Sequence, residues 1–556
     1  MIKIFLFSFL TNLFYYSLGS VVLRENKTTN YSIFYKALIG VITASFIALL
    51  LNFFTPLNKN INSFIFILVF LIFLLKLKVT IKKKEILFLT ISTLICFLLI
   101  LLSNVNRPDA GLYHLPYIVI LNEYKIIFGL NNLHSRFGHV SIIQYLSALN
   151  NNYFFKEDGI IIPLASIASF YYIYFSNEVF KIYKKKSKIN SSSLFSLLVL
   201  IYISFKIMGY DGFGNDAIAH LSYFYLISYV LKLEKESIDV TQIFLISVFI
   251  FLNKSTLIFA FIIPVFIIFY KYKLDLKKIF ILTFSFPAIF LSAWLIKNLI
   301  TSGCVIYPAL ITCIDYLPWL NIKSTFADNI ASEAWSKAWP ENDNQKLPME
   351  IFIKDFNWVA AWSKKHLVYI LNIILPYTLV LLTLLLFLKI NSKNFKNKII
   401  SIKLPEFYWL ASVTCFIGNI FFFIKFPLYR YGYSYLISSI ILIFIYFIIK
   451  EISKQKIIYI SKFVFSLAII VFVSKQSLRI INNYDLNYIN KPWPRIYSFG
   501  NNKKINSEKQ YINNRFSYYF SKNGECMLSA PPCTNYKIDE KLIAKQLLGY
   551  TFLTYR

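Results

Sequence analysis

The feature that most constrains this chain is a succession of apolar runs long enough to cross a bilayer, separated by short lysine clusters. Residues 86–102, 279–296 and 367–388 are three such runs. About 20 consecutive apolar residues span a hydrocarbon core. Only 15% of the residues are charged, against 57% hydrophobic and 19% aromatic, and the mean hydropathy is +0.58. A soluble domain carries about 25% charged residues to keep its surface in water. The expected fold is therefore an all-α polytopic membrane protein with about 12–14 transmembrane helices, each built on a run of spanning length. The first run, 2–22, has no small-residue cleavage pattern and is followed by more spans, so it reads as a membrane helix and not as a signal peptide.

The formal charge of +31 does not point to nucleic acid. The lysines form no single basic face or tail; they cluster between apolar runs, as cytoplasmic loops do. Part of the excess follows the Lys-, Asn-, Ile-, Phe- and Tyr-rich composition of an AT-rich genome. The expected partners include membrane lipids and exclude nucleic acid.

The lysine clusters order the chain. Lys76, Lys78, Lys82, Lys83 and Lys84 belong inside, so the next span delivers 104–158 outside. Span 159–175 returns to Lys181, Lys184, Lys185, Lys186 and Lys188. Spans 193–208 and 217–233 flank a short outer turn. Residues 242–270 are too long for one span and break at Asn253-Lys254-Ser255, which predicts two helices meeting near Lys254 at the outer face. The resulting division is 1–103, N-terminal spans; 104–158, first outer loop; 159–299, membrane core; 300–366, second outer loop; 367–473, C-terminal spans; and 474–556, a small extracytoplasmic domain. Strict parity puts the N-terminus outside, against the preference of Lys3. The implied location is a bacterial inner membrane with a periplasmic working face. Cys526 and Cys533 fall in the outer tail, where a disulfide persists; free thiols are the alternative. Cys304 and Cys313 form a second candidate pair, and Cys96 and Cys415 stand alone.

Charged groups near a bilayer are costly and tend to mark function. The loop 104–158 concentrates them: Arg107, Asp109, His114, Glu123, His134, Arg136 and His139. Pro108 and Asp109 look like a helix start, and Leu112, Leu115, Ile118, Ile120 and Leu121 would lay that helix on the membrane surface. Asp109 is a candidate general base, with His114 or Glu123 assisting. Alternatively His114, His134 and His139 hold a metal, although their spacing is not the i, i+4 of a helical zinc pair. In the third alternative Asp109 only caps a helix. Asp211 and Asp216 flank a glycine-rich turn, where caps are also expected. Lys254, Lys297 and Arg430 end or begin spans, and either snorkel or bind phosphate. No dense carboxylate cluster demands a metal, so none is assigned as cofactor and a divalent cation stays open.

This arrangement resembles the GT-C class of membrane glycosyltransferases: an acidic residue early in the first outer loop, here Asp109, then a helix, then a second acidic site, here Asp211 or Asp216. It is more closely similar to bacterial GT-C-like multi-pass proteins of undefined activity. That similarity rests on Tyr113-His-Leu-Pro-Tyr117, Asn122-Glu-Tyr124, Asn132-Leu-His134, Arg136-Phe-Gly138, Lys254, Tyr307-Pro308, Tyr429-Arg430-Tyr431-Gly432 and the Cys526–Cys533 tail. Lys297 stands where an arginine is expected, and Pro427-Leu428 lacks the expected acidic residue. The resemblance implies transfer of a sugar from a polyprenyl-phosphate donor to a glycan or lipid acceptor. Asp109, His114 and Glu123 would then be catalytic; Tyr113, His134, Arg136, Asp211, Asp216, Lys254, Lys297 and Arg430 would bind substrate. An O-antigen-type polymerase or ligase using Arg136 and His114, and a transporter of lipid-linked glycan, are the alternatives. The charges at the outer edge and the lack of a clear repeat favour an enzyme over a transporter.

Overall fold

The computed structural model describes residues 1–23, 31–76, 82–103, 109–183, 190–206, 213–234, 238–273, 275–341, 347–390, 399–400, 404–448, 452–484, 507–522 and 524–555. Asp211 and Arg107, singled out above, lie outside the described residues.

Helices α1 (Ile2–Val22) and α2 (Ile33–Phe54) pack backbone to backbone. Gly19 meets the carbonyl of Lys36, and Gly40 that of Tyr15; a Cβ at Gly40 would stand 1.7 Å from that oxygen. Small residues permit such an approach where only packing holds helices together. α3 (Lys59–Lys76) and α4 (Lys83–Ile100) pack on α1, and the buried Asn12 amide donates to Ser92 Oγ at 3.1 Å. The first loop folds into α5 (Leu115–Glu123) and α6 (Ile142–Leu149). There follow α7 (Ile162–Tyr183), α8 (Ser191–Phe205), α9 (Asp216–Val230), α10 (Val240–Asn253), α11 (Ile262–Tyr272), α12 (Leu276–Thr283) and α13 (Phe286–Ser302). The second loop holds α14 (Ile322–Ser336) and the single turns α15 (Met349–Phe352) and α16 (Val359–Trp362). α17 (Val368–Ile390), α18 (Tyr408–Lys425), α19 (Tyr429–Ile448) and α20 (Lys454–Asn483) complete the helices.

Among the described residues, eight helices are long and apolar enough to cross a membrane, or nine if the bent pair α12–α13 is one span. The larger expected number also counted α3, α8, α9 and α10, which are too short as apolar helices, and α4, whose 18 residues include Lys83, Lys84 and Glu85. Leu375, Leu379, Leu382 and Leu386 of α17 are exposed, as are Leu71, Leu74 and Leu75 of α3. That surface suits lipid and not water.

Ion pairs distinguish two ends of the bundle. Lys3 at the start of α1 pairs with Asp158 before α7, at 2.6 Å, so α1 starts at the end that carries the first loop. The charge that seemed to oppose this placement is thereby matched. At the other end Glu178 accepts from Lys181 at 2.8 Å and Lys232 at 2.5 Å.

Three expectations change. The stripe Leu115, Ile118, Ile120 and Leu121 is buried to within 2%, because α5 packs under α6 and does not lie on a membrane surface. The final helix does not end at Val473 but continues to Asn483. Arg479 holds it there, donating to the Leu101 carbonyl at 2.8 Å and the Leu98 carbonyl at 2.5 Å. The helix break at Lys254 is present, with Lys254 extended at φ −151° and ψ 105°, but its second arm starts as a tight 3-10 turn before α11.

Two short strands, β1 (Ile399–Ile400) and β2 (Ile452–Ser453), form a ladder at the lysine-rich end. The C-terminal region is a sheet of β3 (Ser507–Ile512), β4 (Phe516–Ser521) and β5 (Cys533–Thr534), beside a hairpin of β6 (Leu542–Leu547) and β7 (Tyr550–Tyr555). Disulfides join Cys304 to Cys313 and Cys526 to Cys533, while Cys96 and Cys415 are free and buried. The tail docks on the first loop: Phe128 N–H donates to the Thr551 carbonyl, and Leu553 N–H to the Phe128 carbonyl, both at 2.9 Å.

Candidate active site

At the loop end, four chain segments far apart in sequence bring two acids and two cations together. Arg430, at the start of α19, lies 3.4 Å from the Asp109 carboxylate. Lys254, at the break after α10, is hydrogen-bonded and ion-paired to Asp216 at the start of α9. Tyr431 joins the two pairs: its ring centroid lies 4.4 Å from the Lys254 ammonium and 5.3 Å from the Arg430 guanidinium.

Neither acid serves as a helix cap. Asp109 stands at the cap position of the turn Ala110–His114, yet its side chain makes no cap hydrogen bond. The cap position of α9 is Asn215, whose amide donates instead to the Asn253 carbonyl. Both carboxylates are spent on cations and solvent. The Asp109–Arg430 pair is about half exposed on each side, whereas the Lys254 side chain is only 7% exposed. The two pairs therefore differ in character. The first is open and exchangeable; the second is anchored.

Local structure explains the placement. His220, one helical turn after Asp216, bonds the Arg430 carbonyl at 3.0 Å and Ser434 Oγ at 2.7 Å, and stacks on Tyr433 at 3.7 Å. It ties the start of α19 to α9 and so keeps Arg430 within electrostatic range of Asp216. Ser141 Oγ donates to Asn253 Oδ1 at 3.3 Å, linking α6 to the break. The tail closes over the turn after Asp109, where the N–H groups of Cys526 and Met527 both donate to the Gly111 carbonyl at 2.9 Å.

His114 is buried, with Nδ1 2.5 Å from Gln144 Nε2 and its ring 4.3 Å from that of Tyr113. Burial pushes its imidazole down to about 4, so it is neutral near pH 7. Tyr113 is raised by burial and by Asp109, which keeps its hydroxyl protonated. Arg136 is exposed, and among the described residues its guanidinium makes no hydrogen bond; its charge is felt at Tyr113, His114, His139 and Tyr307.

Other expected site residues lie elsewhere. Glu123 closes the far end of α5, roughly 13 Å of helix beyond His114, and does not join the acids. Lys297 is buried in α13 with Asn298 Oδ1 at 2.9 Å and the Trp294 ring at 4.1 Å, because α13 turns that face toward the core. His134 accepts from the Arg136 N–H at 3.1 Å and packs on Tyr536 at 4.6 Å. His139 packs on Tyr307 at 5.1 Å. Burial pushes His134 down to about 4 and His139 to about 3, with Arg136 adding to both. The three histidines point to three different partners. Among the described residues no three His, Cys, Asp or Glu side chains stand close enough to hold a metal ion.

Sequence reasoning missed Gln144, His220 and the Tyr307–Asp328 hydrogen bond. Ser141-x-x-Gln144 is a capping box and was legible as one. His220 carried only the signal of a lone histidine inside an apolar run.

The fold and cluster define a helical protein with helices long and apolar enough to cross a membrane and a half-open acid–cation site at one end. The chain belongs to the family described as "Domain of unknown function (DUF8201)", whose profile matches residues 1–437. No curated protein and no solved structure matches it.

Proposed function

We propose that the chain is a GT-C-like glycosyltransferase of the bacterial inner membrane. It would move a sugar from a polyprenyl-phosphate donor to an envelope glycan or lipid at the periplasmic face. The observation that carries this is the Asp109–Arg430 and Asp216–Lys254 pairing at the loop end, where an acid free of capping stands beside cations suited to phosphate.

In the transfer, Asp109 takes the proton of an acceptor hydroxyl, help worth roughly 10²–10⁴-fold. The acceptor oxygen bonds to the anomeric carbon as the bond from that carbon to the phosphate oxygen breaks. The polyprenyl phosphate leaves with the electron pair, and the anomeric configuration inverts. Arg430 offsets the charge that grows on the leaving phosphate, the type of electrostatic help that is usually the largest contribution. An exposed pair such as Asp109–Arg430 is worth only about 0–1 kcal/mol, so a phosphate can take the guanidinium and release the carboxylate for base work. Arg136, with no hydrogen-bonded partner among the described residues, is a further cation within electrostatic range of the same side chains.

His114 fits general-acid work poorly, since its imidazole is neutral and one nitrogen is already bonded. The test is Asp109→Asn at wild-type abundance: surface glycan elongation or modification should be lost, and unchanged glycan would refute the proposal.

A further inference from the structure

A second polar site lies on the same end of the bundle, away from the acids. Asn58, Lys59, Asn60, Asn122, Glu123, Asn151 and Tyr153 line an open depression of about 280 Å³. Small-molecule sites begin near 300 Å³, so there is room for about one sugar ring. Its floor is fixed. Asn122 donates to the carbonyls of Leu57 at 2.6 Å and Ala148 at 3.0 Å, and accepts from the Asn151 amide at 2.9 Å. Tyr153 is held at its rim by a hydrogen bond of 2.6 Å from its hydroxyl to Asn60 Oδ1. The tyrosine is nevertheless 60% exposed.

What remains unspent is informative. Asn151, 8% exposed, belongs to that floor: its amide is given to Asn122 and its Oδ1 is sealed from the surface. Glu123 and Lys59 line the same depression, yet neither forms an ion pair among the described residues. The open set thus contains the Glu123 carboxylate as acceptor, beside donors on Lys59 and the amides of Asn58 and Asn60. A sugar hydroxyl donates and accepts at once and matches such a mixed set. A phosphate only accepts, and would set its charge against Glu123. The exposed Tyr153 ring adds an apolar face with a polar tip.

We infer that this depression binds an uncharged saccharide unit, and that Glu123 is a sugar-binding residue there. The site stands on its own hydrogen-bonding set and not on Asp109. Along the chain from Asp109 through α5, Glu123 lies about 20 Å away, so a glycan several units long could occupy both places.

The test uses the full-length protein in nanodiscs and saturation-transfer NMR. The probes are uncharged disaccharides of glucose, galactose, N-acetylglucosamine and rhamnose, with phosphatidylglycerol vesicles as the lipid arm. At least one disaccharide should bind, and Glu123→Ala and Tyr153→Ala, both at exposed positions, should each weaken it at least tenfold. Asp109→Asn should bind it as the wild type does, which separates this site from the proposed chemistry. No disaccharide binding, or binding indifferent to both variants, overturns the inference. So does a site that takes only phosphatidylglycerol and loses it in Lys59→Ala.

Discussion

The two acid–cation pairs predict opposite balances of stability and activity. Removing Asp216 leaves the Lys254 ammonium, 7% exposed, with the Tyr431 ring at 4.4 Å as its remaining contact among the described residues. Breaking a fully buried pair costs about 3–5 kcal/mol, most of it the stranded charge. Because Asp216 is 31% exposed, water relieves part of this, and Asp216→Ala should cost about 3 kcal/mol. Asp109 and Arg430 are 43% and 48% exposed, so Asp109→Ala should cost less than about 1 kcal/mol. SDS-titration unfolding of the purified variants measures both. The double variant Asp216→Asn with Lys254→Met removes both charges, and apolar replacement of a buried pair is often neutral, so it should regain most of the lost stability while transfer stays absent. Equal costs for the two single alanine variants, or a double variant no more stable than Asp216→Ala, would refute the distinction between an anchored and an exchangeable pair.

Three further outcomes follow from the structure. His114, His134 and His139 are held below the ordinary imidazole value of 6.5, near 4, 4 and 3. The unfolded chain therefore takes up these protons first as pH falls. Their contribution is whole above pH 6.5 and is lost toward pH 4, with a slope up to about 1.4 kcal/mol per pH unit for each; His139→Gln should flatten the fall measured by unfolding between pH 7 and 4. Reducing Cys526–Cys533 should loosen the loop that holds the Gly111 carbonyl, seen as faster exchange of the Cys526 and Met527 amides, whereas unchanged exchange would show that the docking does not need the disulfide. Gly40→Val, whose Cβ would meet the Tyr15 carbonyl at 1.7 Å, should separate α1 from α2 and abolish folding; a full yield of stable protein would contradict the close approach.

Much of the helical order was legible because lysines mark one end of each apolar run, and a run of spanning length has few other uses in a folded chain. Lys254 could be placed from Asn253-Lys254-Ser255 alone, since polar residues in mid-run demand a break. The burial of α5 was not legible. Its apolar stripe is the same whether it faces lipid or protein, and only the tail and α6 decide between them. Glu123 and Lys297 were misplaced for a related reason: sequence gives a residue's end of the bundle, but not which helix it faces. That Asp109 does not cap its helix required the position of Arg430, 321 residues away.

The proposed transfer requires the loop-end cluster to receive a lipid-linked phosphate. A structure of the protein with polyprenyl phosphate bound would show where that phosphate sits. Phosphate density should lie within hydrogen-bond reach of Arg430, with the Asp109–Arg430 contact opened. Density at the lysine-rich end near Lys181 and Lys232, with Asp109 and Arg430 still paired, would contradict it.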